Sequence, residues 1–257
     1  MPTVVAGGRE LEIEWHGSSG GAAPLVFLHE GLGSVSSWRD FPARVAEVTG
    51  RAALVYSRAG HGRSQQPLGP RAPGFMDEEA VVLGELLDAA GVGEAVLFGH
   101  SDGASIALIH AAASGRPVHG LVLMAPHVFI EAICLESIAR IRDIYFGTDL
   151  EQRLAKYHAH VDDAFLGWAD TWLLPEFRSW SIEDLLPAVS QPMLLIQGRD
   201  DEYGTLAQLD RIEARVKGPT SRLVLADCGH SPQRDQEAAV IEAIAAFVGG
   251  LSQERRD

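Results

Sequence analysis

The sequence is short of several things, and each shortage narrows what the chain can be. Among 257 residues there are only two cysteines, Cys134 and Cys228, far apart and in no metal-like spacing. That usage suits a reduced, cytoplasmic protein with no bound metal. No apolar run approaches the roughly 18 residues that cross a bilayer. The opening MPTVVAGGRELEIEW has no basic region followed by a long apolar stretch, so no signal peptide is expected. Positive charge is scarce: 21 Lys and Arg face 35 Asp and Glu, a formal net charge of −14. So acidic an average argues against nucleic acid or an anionic membrane as partner, because both select a basic surface. The average does not exclude a local basic patch. The chain also lacks internal repeats, low-complexity tracts and any Pro/Gly linker long enough to separate independent domains.

What is present is an ordinary globular composition, 46% hydrophobic and 22% charged, long enough for one α/β domain with an inserted lid. Two alternating stretches, Thr3–Ala6 and Glu10–Trp15, flank Gly7-Gly8 and predict a hairpin. Six compact runs follow: PLVFL (24–28), AALVY (52–56), AVLF (95–98), LVLMA (121–125), PMLLI (192–196) and RLVLA (222–226). Each is continuous rather than alternating, as in strands covered on both faces. Helix-like segments lie between them. DEEAVVLGELLDAAG opens on acids suited to a helix N-terminus and ends at Gly91. QEAAVIEAIAAFVGG has helical spacing and an expected stop at Gly249-Gly250. Alternation of strand and helix predicts a mostly parallel, doubly wound sheet. From about 127 to 186 the rhythm breaks and aromatics cluster, which predicts a helical cap inserted into a core of residues 1–126 and 187–257.

Gly99-His100-Ser101-Asp102-Gly103 fits G-x-S-x-G, with a strand before it and a helix after it. A sharp strand-to-helix turn holds a serine hydroxyl at the sheet edge and aims the next N–H at a developing oxyanion. Serine is also an ordinary helix cap, so partners decide the matter. QGRDDEYGT follows one strand and supplies Asp200 and Asp201. DCGHSPQ follows the last strand and supplies His230, with Asp227 beside it. In such sheets all these positions arrive outside the carboxyl ends of the strands. The order Ser, Asp, His, each just after a strand, is that of a nucleophile elbow with its catalytic triad.

On these motifs the chain resembles the α/β-hydrolase superfamily over essentially its full length. VFLHEGLGSVSSW is similar to the oxyanion-hole loop, YSRAGHGRS to the D-x-R-G-x-G-x-S loop, and QPMLLIQGRDDEYG and DCGHSP to the acid and base loops. The resemblance implies the α/β-hydrolase fold, Ser101 as nucleophile and His230 as base. The G-x-x-D spacing of the acid loop selects Asp201, with Asp200 the rival. The backbone N–H groups of Gly31 and Asp102 would form the oxyanion hole. The family more often has His-Gly where this chain has His29-Glu30-Gly31, so the Glu30 N–H is an alternative donor. No cofactor is implied, and the serine separates the chain from dehalogenase and epoxide-hydrolase members, which place Asp there. The expected activity is hydrolysis of a small-molecule ester or lactone. The alternatives are C–C hydrolysis of a vinylogous diketone and a non-catalytic ligand-binding role. The sequence leaves the assembly, monomer or homodimer, open.

Other residues have structural readings beside functional ones. His29 and His61 fall in loops where such residues hydrogen-bond backbone. His100 should point away from the serine and serve as core or supporting packing. His158 and His160, two apart on a helix, would face different directions and make no metal site. His127 and Glu30 are pocket candidates, as are Trp168 and Trp172; Trp180 shares their cluster. Arg58 reads as a structural ion pair and Cys228 as strand-end packing. Asp102, where relatives often carry an apolar residue, hints at a polar pocket floor.

Overall fold

The computed structural model describes residues 2–18, 20–67, 69 and 71–253. Strands β1 (Thr3–Ala6) and β2 (Arg9–His16) form the expected hairpin. Gly7 and Gly8 take φ of 58° and 68°, the left-handed pair that a two-residue hairpin turn needs. Next come β3 (Leu25–Leu28), α1 (Phe41–Thr49), β4 (Ala53–Tyr56), α2 (Phe75–Ala89), β5 (Ala95–His100), α3 (Asp102–Ala113) and β6 (Val118–Met124). After β6 the chain makes α4 (Ala132–Tyr145), α5 (Leu150–Leu154) and α6 (Val161–Trp172). It returns to the sheet as β7 (Met193–Gly198), α7 (Ala207–Glu213), β8 (Thr220–Leu225), α8 (Pro232–Asp235) and α9 (Glu237–Gln253).

The eight strands form one sheet in the order β1-β2-β4-β3-β5-β6-β7-β8, and β2 is its antiparallel member. From β4 onward every pairing is parallel. The continuous apolar runs are explained by two cores. Val26, Leu28, Leu97, Leu121, Leu123 and Leu195 face the α2/α3 side. Their alternate neighbours Leu25, Phe27, Val96, Phe98, Val122 and Ile196 face the α1/α9 side. With both faces covered, nothing in these strands needs to be polar. On the α1/α9 side Phe27 and Phe98 stack at 4.5 Å, with the Trp38 ring edge-on to both.

Three expectations fail: β8, at the sheet edge, leaves Ser221 and Arg222 exposed, His158 and His160 lie between α5 and α6 rather than on a helix, and the last helix outruns its expected stop. The helix does not stop at Gly249-Gly250 but runs on to Gln253. Leu251 is buried and packs on Gly120 of β6. That burial, worth roughly 2 kcal/mol, offsets most of the propensity cost of two glycines, about 1 kcal/mol each.

The segment between β6 and β7 packs through its own aromatics. The Tyr145 and Phe165 rings stack at 3.9 Å, and the Tyr145 hydroxyl donates to Asp162 at 2.6 Å. Phe177 stacks on Trp180 and touches Trp172. His158 fastens this segment to the core: one ring nitrogen donates to the Leu32 carbonyl at 2.9 Å, and the other accepts the Gly62 N–H at 3.1 Å. Both nitrogens of His158 are thus engaged by backbone. Among the described residues no helix is long and apolar enough to cross a membrane.

Candidate active site

β5 ends at His100, and Ser101 then adopts φ 52°, ψ −119°, a conformation costly for any residue with a side chain. The neighbouring chain enforces it. The Ser101 N–H donates to Met124 O at 2.9 Å, and its carbonyl accepts from Ala104 and Ser105 at the start of α3. The flanking glycines are needed for close approach: a methyl on Gly99 would overlap the backbone of Gly103 and Ala104, and one on Gly103 the Leu28 carbonyl. Gly103→Ala is therefore expected to destabilise the fold by about 3 kcal/mol. A urea unfolding curve with an unchanged midpoint would refute this.

The loops after β7 and β8 bring Asp201 and His230 together. His230 Nδ1 lies 2.8 and 2.9 Å from the two carboxylate oxygens of Asp201. Asp201 also accepts from Gln197 Nε2 at 2.6 Å, Tyr203 N–H at 2.8 Å and Gly204 N–H at 3.2 Å. Burial alone would raise its pKa, but the His230 charge and these donors outweigh burial and hold the carboxyl below its usual range. Asp200, the rival, is exposed, and its N–H donates to Cys228 O. Asp227 sits exposed in the turn after β8 with φ 48°. Cys228 is buried in the α1/α9 core, where burial lifts its thiol to about 11.

Ser101 and His230 line one cavity of about 480 Å³. Among the described residues the Ser101 hydroxyl has no hydrogen-bond partner, and such contacts often tighten only when substrate enters. Burial tends to lower the His230 pKa; the Asp201 carboxylate, with Glu202 and Glu30, overcomes that and raises it above 6.5. A general base works only when neutral, so activity is lost as pH falls through this raised pKa. The acid limb of kcat/KM is expected above pH 6.5, and Glu202→Gln should move it down. A limb below that value, or one indifferent to Glu202, would contradict the geometry.

Supporting residues surround the imidazole. His100 Nε2 lies 2.7 Å from the His230 carbonyl, and Gln233 Nε2 lies 3.3 Å from His100 Nδ1. These partners assign the donor proton to Nε2, and burial lowers this histidine to about 3, so the ring stays neutral. His100 thus holds the His230 backbone, a contact more specific than the supporting packing expected of it. The one signal was its position, since the last residue of β5 shares a sheet edge with the base loop. Tyr203 packs on His230 with ring centroids 4.7 Å apart. His127 lies between His230 and Trp172, at 5.7 and 5.4 Å, and burial lowers it to about 3 as well.

On the opposite wall, the N–H groups of Gly31 and Asp102 face no acceptor among the described residues, and both residues line the cavity. Glu30 folds back so that Oε2 accepts the Leu32 N–H at 2.5 Å. Arg58 is fully buried; it donates to the carbonyls of His29 and Glu30 at 2.5 and 3.1 Å and lies 3.6 Å from the Asp102 carboxylate. It therefore joins the 29–31 loop to the residue after Ser101. Burial outweighs Arg58 and raises the Asp102 pKa. The Asp102 carboxylate, expected to mark a polar pocket floor, is buried and faces Arg58. His29 and His61 donate to loop carbonyls, Glu30 O and Gly31 O, at 2.6 and 2.9 Å.

The cavity is also lined by Glu30, His127, Trp168 and Trp172, with Ile138 and Leu154 as its apolar wall. Trp180 does not line it. Gly31 packs so closely against the Trp168 indole that no side chain would fit there.

The architecture matches known proteins. The model of the alpha/beta hydrolase family matches residues 25–243. A 2-hydroxy-6-oxononadienedioate/2-hydroxy-6-oxononatrienedioate hydrolase of Paraburkholderia phymatum is 29% identical, over 96% of this chain and 94% of that protein. An sn-1-specific diacylglycerol lipase of Danio rerio is 33% identical over 41% of this chain and 32% of that protein. The first curated relatives are matched over only 32% to 44% of their own length. Among solved structures, the enol-lactonase from Burkholderia xenovorans LB400 superposes with a TM-score of 0.77 at 19% identity, covering 96% of this chain and all of the other. At that identity the likeness concerns the fold. With the family model spanning most of the sequence and the elbow, acid and base loops at one sheet edge, the chain belongs to the α/β-hydrolase family.

Proposed function

We propose that the protein is a serine hydrolase acting on small carboxylic esters or lactones. The observation that carries this reading is the His230–Asp201 pair opening on the same cavity as a serine held in a strained strand-to-helix turn. His230 Nε2 takes the proton of Ser101 Oγ as the oxygen adds to the carbonyl carbon. Asp201 accepts the Nδ1–H, fixes the ring tautomer and stabilises the imidazolium. The developing oxyanion is bound by the N–H groups of Asp102 and Gly31. Collapse expels the alcohol, which takes its proton from His230. Water, deprotonated by the same imidazole, then releases the acid. The segment 127–186 acts as the cap that shapes the acyl pocket. No step needs a cofactor.

A second reading, hydrolytic C–C cleavage of a vinylogous diketone, is favoured by the near full-length match to the oxononadienedioate hydrolase. A panel of short and long acyl esters, lactones and ring-fission diketones separates the two. Ester or lactone turnover exceeding diketone turnover supports the first reading, and the reverse order supports the second. Failure on every class would favour the binding-protein alternative.

A further inference from the structure

Charge is distributed unevenly around the cavity. In a chain where acids outnumber bases 35 to 21, four cations, Arg39, Arg153, Lys156 and Arg234, line this one space and are exposed at its mouth. They come from three separate segments: the loop before α1, the end of α5 with the turn after it, and α8. Several arginines elsewhere are committed to carboxylates, while Arg140, Arg178, Arg199 and Lys217 are, among the described residues, also outside ion-pair contact. Arg44, Arg116, Arg142, Arg211 and Arg222 each hold a carboxylate at 2.5 to 2.6 Å. At the mouth, Arg153 only approaches Asp149 at 3.9 Å, and among the described residues Arg39, Lys156 and Arg234 are in ion-pair contact with no carboxylate.

The acids that share the cavity form no ion pair with these cations, and the charges of Glu30 and Glu202 act on His230. Glu30 is taken by the Leu32 N–H, Glu202 receives the His230 N–H at 3.3 Å, and Asp102 faces Arg58 in the interior. The free cations converge instead on a neutral group. Tyr157 lines the same cavity, and the positive charges of Arg39, Arg234 and Lys156 around it draw its hydroxyl pKa down. Arg234 is tied back to the same loop through Ser37 O at 3.5 Å. The mouth thus offers two guanidinium groups, an ammonium and a phenol O–H, the three cations in ion-pair contact with no carboxylate among the described residues. Phosphate sites characteristically add a nest of backbone N–H groups; here the donors are side chains spread around an opening, which suits a carboxylate.

We propose that Arg39, Lys156, Arg234 and Tyr157 form a carboxylate subsite, and that the substrate is an ester or lactone with a carboxylate remote from its scissile carbonyl. This rests on the hydrolase reading above and adds a substrate class to it. Exposed ion pairs contribute modestly one by one, but three acting together are expected to give about tenfold selectivity, near 1.4 kcal/mol.

The test compares mono-4-nitrophenyl glutarate with 4-nitrophenyl valerate, esters of matched length with and without the terminal carboxylate. The glutarate is expected to have the higher kcat/KM by about tenfold at low salt. That ratio should fall toward one in the Arg39→Gln/Lys156→Gln/Arg234→Gln protein and, through screening, at high salt. Valerate turned over as fast as the glutarate, or a ratio unmoved by the triple substitution, overturns the subsite and leaves the hydrolase reading intact. If neither ester turns over, the hydrolase reading fails, and binding still decides the subsite. Glutaric mono-anilide is expected to quench the cavity tryptophans at about tenfold lower concentration than valeranilide; equal concentrations would overturn the proposal.

Discussion

Ser101→Ala is expected to lower the turnover of any accepted ester about a million-fold while the protein stays folded. The magnitude follows from the division of labour in the cavity. Without Oγ no acyl-enzyme forms, and His230, Asp201 and the oxyanion N–H groups have no nucleophile to assist. What survives is binding and the electrostatic wall, which together give only a small fraction of the rate. His230→Ala should cost about as much, because a serine without its base is as inert as no serine, and combining the two should add little. Steady-state rates together with circular dichroism and thermal melts check this. A Ser101→Ala protein retaining a tenth of the activity would show that water, not Ser101, attacks the carbonyl.

The second large effect separates two adjacent carboxylates. Asp201→Asn is expected to cost about ten-thousand-fold in kcat, because the amide can present its N–H to His230 and favour the wrong tautomer. The loss should exceed what weaker binding of the ring alone would give. Asp201 is buried, 6% exposed, and receives His230, Gln197 and two backbone N–H groups. Asp200 is exposed, so Asp200→Asn should change the rate by no more than about twofold. The opposite ranking, measured as kcat for both variants on one ester, would move the acid to Asp200.

These contrasts mark what a single sequence can and cannot say. The central strands were legible because both faces of each are buried, so the apolar runs are unbroken from Leu25 to Leu28 or Leu194 to Ile196, whereas β8 at the sheet edge exposes Ser221 and Arg222. The elbow was legible because close approach leaves only glycine at positions 99 and 103. Asp200 and Asp201 could not be separated by residue type; burial and the turn through Tyr203 and Gly204 separate them geometrically. Gly249-Gly250 misled because helix propensity is a local quantity, whereas the burial of Leu251 against Gly120 is not. The His100 contact with the His230 carbonyl spans 130 positions, and a periodic pattern carries no trace of it. The same holds for the cations at the mouth. The net charge of −14 gave no sign of them, because they gather from three segments only when the chain folds.

Ser101 is proposed as a nucleophile activated by the His230–Asp201 pair. A fluorophosphonate reacts with a serine only when base and oxyanion donors act on it together. Treating the folded protein with such a probe, then mapping the adduct by mass spectrometry, is the most direct measurement. One adduct is expected, on Ser101, formed far more slowly in His230→Ala. An unmodified folded protein, an adduct on another residue, or labelling that proceeds equally without His230 would contradict it.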